Sequence, residues 1–548
     1  MDESHRSPAS EPPGPLRLDR GAKVLVWILL IYWGLFALLT PVTVTDAQVY
    51  NLARLPLAER FGLFGHNYWF SEREIFFPWS FDALHLIFLK LGFGYALPSY
   101  LCLVGTLLVV FRLGQAWAGT AAGWWTLLFV LSMSTIVFQS TSTKNDLGVV
   151  FAAAAGYYAW WRFRQSNETL WLLVLAIAIG FLPGIKDSGF LPAAGLTGLG
   201  IWQLRRNPRW LLVFAGEVAL MSVLLGSAEI YYDNWLRYRD ALGPPDLVAM
   251  HSNRDGLRGA AASLIRYFFG VINLGWTPPY GSPPYVPALE RMCRAVLRAT
   301  GLVNVGYWTL DNDASLKILR LGGESSSDYA LSGTCLALLA VWQLLRRSWR
   351  DPAWRLAALG MIYAAGLALT VAWMPFNNRF LMPSFVLFAL AVAVGEQGAL
   401  RHSRVFRGTM FAVAAYSAII PTYYSFNKQP RDLLGGVTMR QWEFFLERRN
   451  LQPIAQDAQH WLQAHPTGHL MLLAGGDSST LVFFIHPFQR VDPLITTHPQ
   501  ASDLPPGHGP LALLTLDRTD FNPAASGLKL HQLQTYPDPG SVLYEIEP

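Results

Sequence analysis

Val24–Leu39 reads VLVWILLIYWGLFALL, an uncharged run of sixteen residues that begins directly after Lys23. With Thr40 and Pro41 it is long enough to cross a bilayer, and no small-residue cleavage site follows, so it reads as a retained anchor. Similar runs recur along the chain at 95–113, 120–140, 147–163, 169–185, 188–204, 210–231, 329–345, 354–374, 380–396 and 405–424. The 548 residues are 52% hydrophobic and 14% charged. A mean hydropathy of +0.27 is too apolar for a soluble chain of this length. The composition therefore predicts a polytopic α-helical membrane protein of about 11 spans, its twenty-one Trp suited to interfacial belts.

Loop charges set the orientation. Arg112, Arg162, Arg164, Arg205, Arg206, Arg209, Arg346, Arg347, Arg350, Arg401, Arg404 and Arg407 fall on one side, together with Arg17, Arg20 and Lys23. Cytoplasmic loops carry an excess of Lys and Arg, so that side is the cytoplasm and the C-terminal tail lies outside, across the inner membrane. Pro78 to Leu91 is apolar but short, and it holds Asp82, His85 and Lys90. Counted as a crossing it would invert every later loop, so it is expected to be a juxtamembrane or partly inserted outer helix. Residues 1–23 read as a polar, Pro-rich, disordered cytoplasmic segment. The net charge of +5 comes with no long basic tail, which argues against nucleic acid. Cys102 and Cys335 fall within spans and Cys293 in a loop, which implies no disulfide framework.

Three regions are left outside: 42–78, 233–328 and 425–548. Residues 233–328 are rich in Pro and Gly, with amphipathic stretches near Leu257–Phe269 and Ala288–Ala299. Irregular backbone cannot lie in lipid, so this loop is expected to cover the outer face. The tail changes character. A helical stretch near Ile454–Ala464, an apolar strand His469–Ala474, a turn at Gly475–Asp477, a helix or strand around Leu481–Ile485 and a strand Leu511–Leu516 predict a small α/β domain.

Ionisable residues gather at the outer ends of the spans. They are Asp46 after the first span, Glu72-Arg73-Glu74, Lys144 and Asp146 within Ser140–Leu147, Lys186-Asp187 after a Gly-containing helix end, and Arg379 in Trp373–Pro383. Each has a plain reading. Asp46 and Asp146 can serve as helix N-terminal charges, Lys186 and Arg379 as snorkelling interface residues, and Glu72–Glu74 as a solvated run. Together, carboxylates beside cations on one rim can take a proton from a hydroxyl while holding a phosphate. A lipid or sugar transporter, or a membrane scaffold, is the alternative. Transporters favour mid-span ionisable residues and internal repeats, whereas these charges sit at outer helix ends.

Thr143-Lys144-Asn145-Asp146-Leu147 and Arg379-Phe380-Leu381-Met382-Pro383, ordered after Asp46 and around Lys186, resemble the bacterial GT-C membrane glycosyltransferases. These are related to protein O-mannosyltransferases and lipid A aminoarabinose transferases. The resemblance covers roughly residues 24–424 and, more loosely, the tail. It implies transfer of a hexose or pentose, with inversion, from a polyprenyl-phosphate donor to a hydroxyl of a lipid, glycan or protein on the outer face. Asp46 would be the base and Asp146 would orient hydroxyls. Lys186, Arg379, Arg73 and Lys144 would bind phosphate, with Glu72 and Tyr50 also lining the substrate. A divalent metal is compatible with such a site and not implied by it. This chain departs from the family in having Asp187 after the lysine, where relatives carry a small or aromatic residue, and Thr45-Asp46 where some mannosyltransferases have paired acids.

Overall fold

The computed structural model of the protein describes residues 17–39, 51, 54, 76–91, 96–274, 285–306, 329–374, 377–428, 451–474, 490–493, 500, 510–516, 521–537 and 540–547. The chain is a mostly helical, multi-pass membrane protein with a small C-terminal sheet. Each of the eleven expected spans coincides with a helix or a pair of helices. By length and composition, five helices among the described residues are apolar enough to cross a bilayer: Arg20–Leu39, Leu97–Ala118, Pro208–Leu225, Pro352–Thr370 and Asn377–Gly395. Thr120–Leu131, Thr169–Ile185 and Ala330–Arg346 are shorter apolar helices.

Two expected spans are broken, each for a local reason. The stretch 120–140 divides into Thr120–Leu131 and Ser134–Gln139, with Met133 extended between them. Ser132, Ser140 and Thr141 turn their hydroxyls onto the carbonyls of Phe129, Val137 and Phe138. Such side chains compete with the helical ladder for its acceptors. The stretch 210–231 divides at Gly226 and Ser227 into Pro208–Leu225 and Ala228–Tyr238, Ser227 taking a left-handed conformation at φ 54°.

Burial sorts the helices into layers. Met382–Gly395 is enclosed on nearly every side, with Phe385, Ala389, Ala391 and Val392 sealed among Thr120–Leu131, Ala330–Arg346 and Pro352–Thr370. Pro208–Leu225 lies outermost and exposes Leu212, Leu220, Val223 and Leu224, as a lipid-facing helix should. It presses on Thr169–Ile185 at Gly180 and Gly184, where a Cβ would collide with the backbone of Met221 and Leu225. Small residues four apart let two helix backbones meet.

Ser80–Lys90 is an eleven-residue helix. Its length of about 16 Å is half a hydrocarbon core, in keeping with a non-spanning helix. Phe81, Asp82 and His85 are buried. The helix N-terminus is tied to the Gly226–Ser227 break by Trp79 N–H and Ser80 Oγ, 3.2 and 2.8 Å from Ser227 Oγ. Gly256–Val271 and Val286–Ala299 form the two amphipathic helices of the long loop. Arg266 is fully buried there and donates to the carbonyls of Val303 and Val305 at 2.9 and 2.7 Å.

In the tail, the helix Leu451–Ala464 precedes β1 (His469–Ala474), β2 (Val491–Pro493), β3 (Leu511–Leu516), β4 (Leu530–Tyr536) and β5 (Ser541–Ile546). The sheet order is β2-β1-β3-β5-β4. β1 pairs in parallel with both β2 and β3, while β5 runs antiparallel to β3 and β4. Leu470, Leu472, Ala512 and Leu514 face Ile454, Ala458 and Leu462 of the helix in one apolar cluster. The expected turn at Gly475–Asp477 and the element around Leu481–Ile485 lie outside the described residues.

Candidate active site

Three chain segments meet at Asp146. The turn Ser140–Asn145 delivers it as the first residue of Asp146–Ser166, where a carboxylate favours the helix dipole. Asn145 Nδ2 donates to the Ile185 carbonyl at 2.6 Å, tying this turn to the end of Thr169–Ile185. That helix carries Pro183 inside its last turn and ends where Lys186 becomes extended, at φ −170° and ψ 150°. Arg379 arrives from the 3-10 turn Asn377–Leu381, which leads into Met382–Gly395 with Pro383 in its first turn.

The geometry is asymmetric. Lys186 Nζ donates to Asp146 Oδ1 at 2.6 Å. Arg379 Nε faces Asp146 Oδ2 at 3.6 Å, an ion pair too long for a hydrogen bond. Phe380 lies beneath both cations, its ring centroid 4.2 Å from Lys186 Nζ and 5.2 Å from Arg379 Cζ. The Asp146 and Arg379 side chains are 3% and 9% exposed, and Lys186 is 21% exposed. Among the described residues, two cations meet one carboxylate in a largely desolvated corner. That corner suits an anion, and Arg supplies a planar fork while Lys supplies a point charge.

Asp187 takes no part in this cluster through hydrogen bonding. Its Oδ1 accepts from Tyr231 Oη at 3.1 Å, and the same hydroxyl lies 2.8 Å from the Pro183 carbonyl. Burial pushes the Asp187 carboxyl up to about 6, against the lowering effects of the Tyr231 hydrogen bond and the Lys186 charge. Lys144, expected at the phosphate, is buried beside Asp146, its carbonyl accepting from Ser99 Oγ at 3.3 Å.

The expected site thus comes together in part. Asp146, Lys186 and Arg379 converge, with Lys144 adjoining; Asp46, Tyr50, Glu72 and Arg73 lie outside the described residues. Two features went unread in the sequence. Arg54 Nη1 lies 2.7 Å from Asp82 Oδ2, with Asn51 Nδ2 donating to Oδ1 at 3.0 Å. The Arg54 guanidinium also donates to the carbonyls of Phe77 and Pro78 at 2.7 and 3.1 Å, pinning Asn51 and Arg54 to the start of Ser80–Lys90. Burial raises the Asp82 carboxyl, while Arg54 and Asn51 pull it back. An acid inside an apolar helix was the available signal, because a buried charge has to find a partner. The second is Asn378. Among the described residues neither atom of its buried side-chain amide has a hydrogen-bond partner, while its carbonyl accepts from Tyr329 Oη at 2.5 Å. Nothing in the sequence marks it apart from its neighbour Asn377. No group of three or more His, Cys, Asp or Glu placed to hold a metal occurs among the described residues.

Solved structures share this fold. ArnT from Cupriavidus metallidurans bound to undecaprenyl phosphate is 12% identical, with a TM-score of 0.51 over 96% of this chain and 98% of that one. Its apo state gives 14% identity and a TM-score of 0.52 over the same shares. The Archaeoglobus fulgidus oligosaccharyltransferase in its apo form is 13% identical over 87% of this chain and 64% of that one, with a TM-score of 0.44. No family model matches the chain, and no curated protein matches it in sequence. The chain therefore has the GT-C fold that the resemblance implied.

Proposed function

We propose, from that fold and this cluster, that the protein is an inverting glycosyltransferase of the cytoplasmic membrane. It moves a sugar from a polyprenyl-phosphate donor to a hydroxyl acceptor on the outer face. The convergence of Lys186 and Arg379 on Asp146 carries the reading, because a paired cation site in a low-dielectric corner matches a phosphate leaving group. The ArnT structure with undecaprenyl phosphate supports a carrier of that kind.

In this reaction Asp46 accepts the proton of the acceptor hydroxyl as its oxygen attacks the anomeric carbon. The bond from that carbon to the carrier phosphate breaks, and the phosphate departs with the electron pair. Lys186 and Arg379 meet the developing charge. Asp146 holds the two cations in register, a positioning role that its contacts favour over orienting hydroxyls. Asn378 suits a sugar hydroxyl, since its amide offers both a donor and an acceptor. Arg73, Lys144, Glu72 and Tyr50 complete the substrate surface in this reading.

The test is direct. Purified protein in lipid nanodiscs is given undecaprenyl phosphates carrying radiolabelled hexoses or pentoses, together with an outer-membrane lipid and glycan extract. The reading expects acceptor-dependent release of undecaprenyl phosphate and label in the acceptor. Label that merely crosses the bilayer on its carrier would instead indicate a transporter.

A further inference from the structure

We infer that the face of Pro208–Leu225 around Glu217 docks a transmembrane helix of a partner protein that carries a lysine or arginine at mid-membrane. The inference stands apart from the donor reading and uses none of its residues.

Among the five described helices apolar enough to cross a bilayer, Glu217 is the only carboxylate. It belongs to the outermost of them and lies near its middle, in a helix of 18 residues. That places it about 13 Å from either end, within the hydrocarbon core. Its Oε2 is buried without a hydrogen-bond partner, and among the described residues no charged group acts on it. The chain treats its other buried acids differently. Asp82 meets Arg54 at 2.7 Å, and Asp146 meets Lys186 at 2.6 Å. A carboxylate in hydrocarbon needs a cation or a donor, and lipid tails offer neither.

The surroundings of Glu217 suit a helix. Val213, Leu220 and Leu224 are exposed and share one stripe with Glu217, at the i, i+4, i+7, i+11 spacing by which a packed helix is engaged. Gly216 stands beside the carboxylate, and a Cβ there would meet nothing within 4 Å. A partner backbone can therefore come close. Charge selects the occupant. An anionic lipid would be repelled, and a second copy offering the same face would set Glu217 against Glu217. An uncharged helix would leave the carboxylate bare. A mid-span lysine or arginine supplies the counter-charge, in a medium where water does not screen the pair.

The simpler role is a protonated Glu217 that merely tolerates lipid, which would show no preference for a basic helix. The experiment places the full-length protein in lipid nanodiscs with a photoreactive amino acid at position 220. It titrates a designed leucine-alanine helix of about 20 residues bearing one central lysine, and a control with leucine in its place. Crosslinking to the lysine helix should saturate, at a mole fraction about tenfold below that needed for the control. Glu217→Gln should remove that preference, and Gly216→Trp, which fills the open space, should weaken binding at least fivefold. Because the control changes only the peptide, its outcome does not depend on how any variant folds. In membranes of the native host, the helix crosslinked at position 220 should carry a mid-span lysine or arginine. Glu217→Lys should abolish that adduct, and changing the partner's basic residue to glutamate should restore it. Equal crosslinking of the two peptides, indifference to Gly216→Trp, or a native adduct that is absent, lacks a basic mid-span residue or is a second copy of this chain overturns the inference.

Discussion

Lys186 and Asp187 are neighbours in the chain and face different partners: the ammonium meets Asp146 at 2.6 Å, and the carboxyl meets the Tyr231 hydroxyl at 3.1 Å. The division leaves Asp146 holding two cations, Lys186 and Arg379, at one corner of the helical bundle.

Asp146→Asn should therefore harm stability as well as activity. It removes a counter-charge that a buried arginine and a part-buried lysine share, and breaking such a pair costs about 3 kcal/mol. Thermal unfolding in detergent should show a lower Tm, and donor binding should weaken. An unchanged Tm would mean that Asp146 does not hold the cations.

Arg379→Lys keeps the charge and loses the planar fork, so donor KM should rise roughly tenfold with membrane insertion intact. Lys186→Ala should act in the same direction. Donor titration decides: parent-like KM in both variants would reduce these residues to interface anchors.

Asp46→Asn retains size and polarity but cannot serve as a base near neutral pH. Transfer should fall by roughly 10²–10⁴-fold, while binding of undecaprenyl phosphate stays within a few-fold. Near-normal turnover in folded protein removes Asp46 from the mechanism.

The Asp187 carboxyl, raised to about 6, carries a pH signature. A carboxyl harder to ionise in the fold than in the unfolded chain favours the fold fully below about pH 4, and that contribution is lost as pH rises through about 6. Asp187→Asn escapes this loss. Relative to the parent, its Tm should rise between pH 4 and 7, by the equivalent of about 3 kcal/mol, and level off above. A parallel pair of Tm curves would refute the raised carboxyl.

The orientation has its own test. A reporter active only outside the cytoplasm, fused after Pro548, should be active; cytoplasmic activity would reverse the assignment made from the basic loops.

Much of this architecture was written locally. Spans such as 95–113 and 354–374 were legible because a bilayer demands long apolar stretches with their backbone bonds satisfied internally, a requirement that sequence alone displays. β1 and β3 were read with their observed bounds because each is a short apolar run between turn residues. β4 was not, since most of that strand is exposed and polar, and β5 was missed although its Leu543, Tyr544 and Ile546 are buried. The charges of Asp146, Lys186 and Arg379 were visible as ionisable residues at helix ends. Their joining was not, because 40 residues separate Asp146 from Lys186 and only helix packing sets the distance between them. The same holds for Asp187 with Tyr231 and for Arg54 with Asp82, 44 and 28 residues apart. Sequence by itself determined which segments are apolar enough to enter a membrane and where charge collects, because transfer out of water acts residue by residue. The tertiary structure alone decided which charge meets which, because an ion pair depends on the separation of two side chains in space.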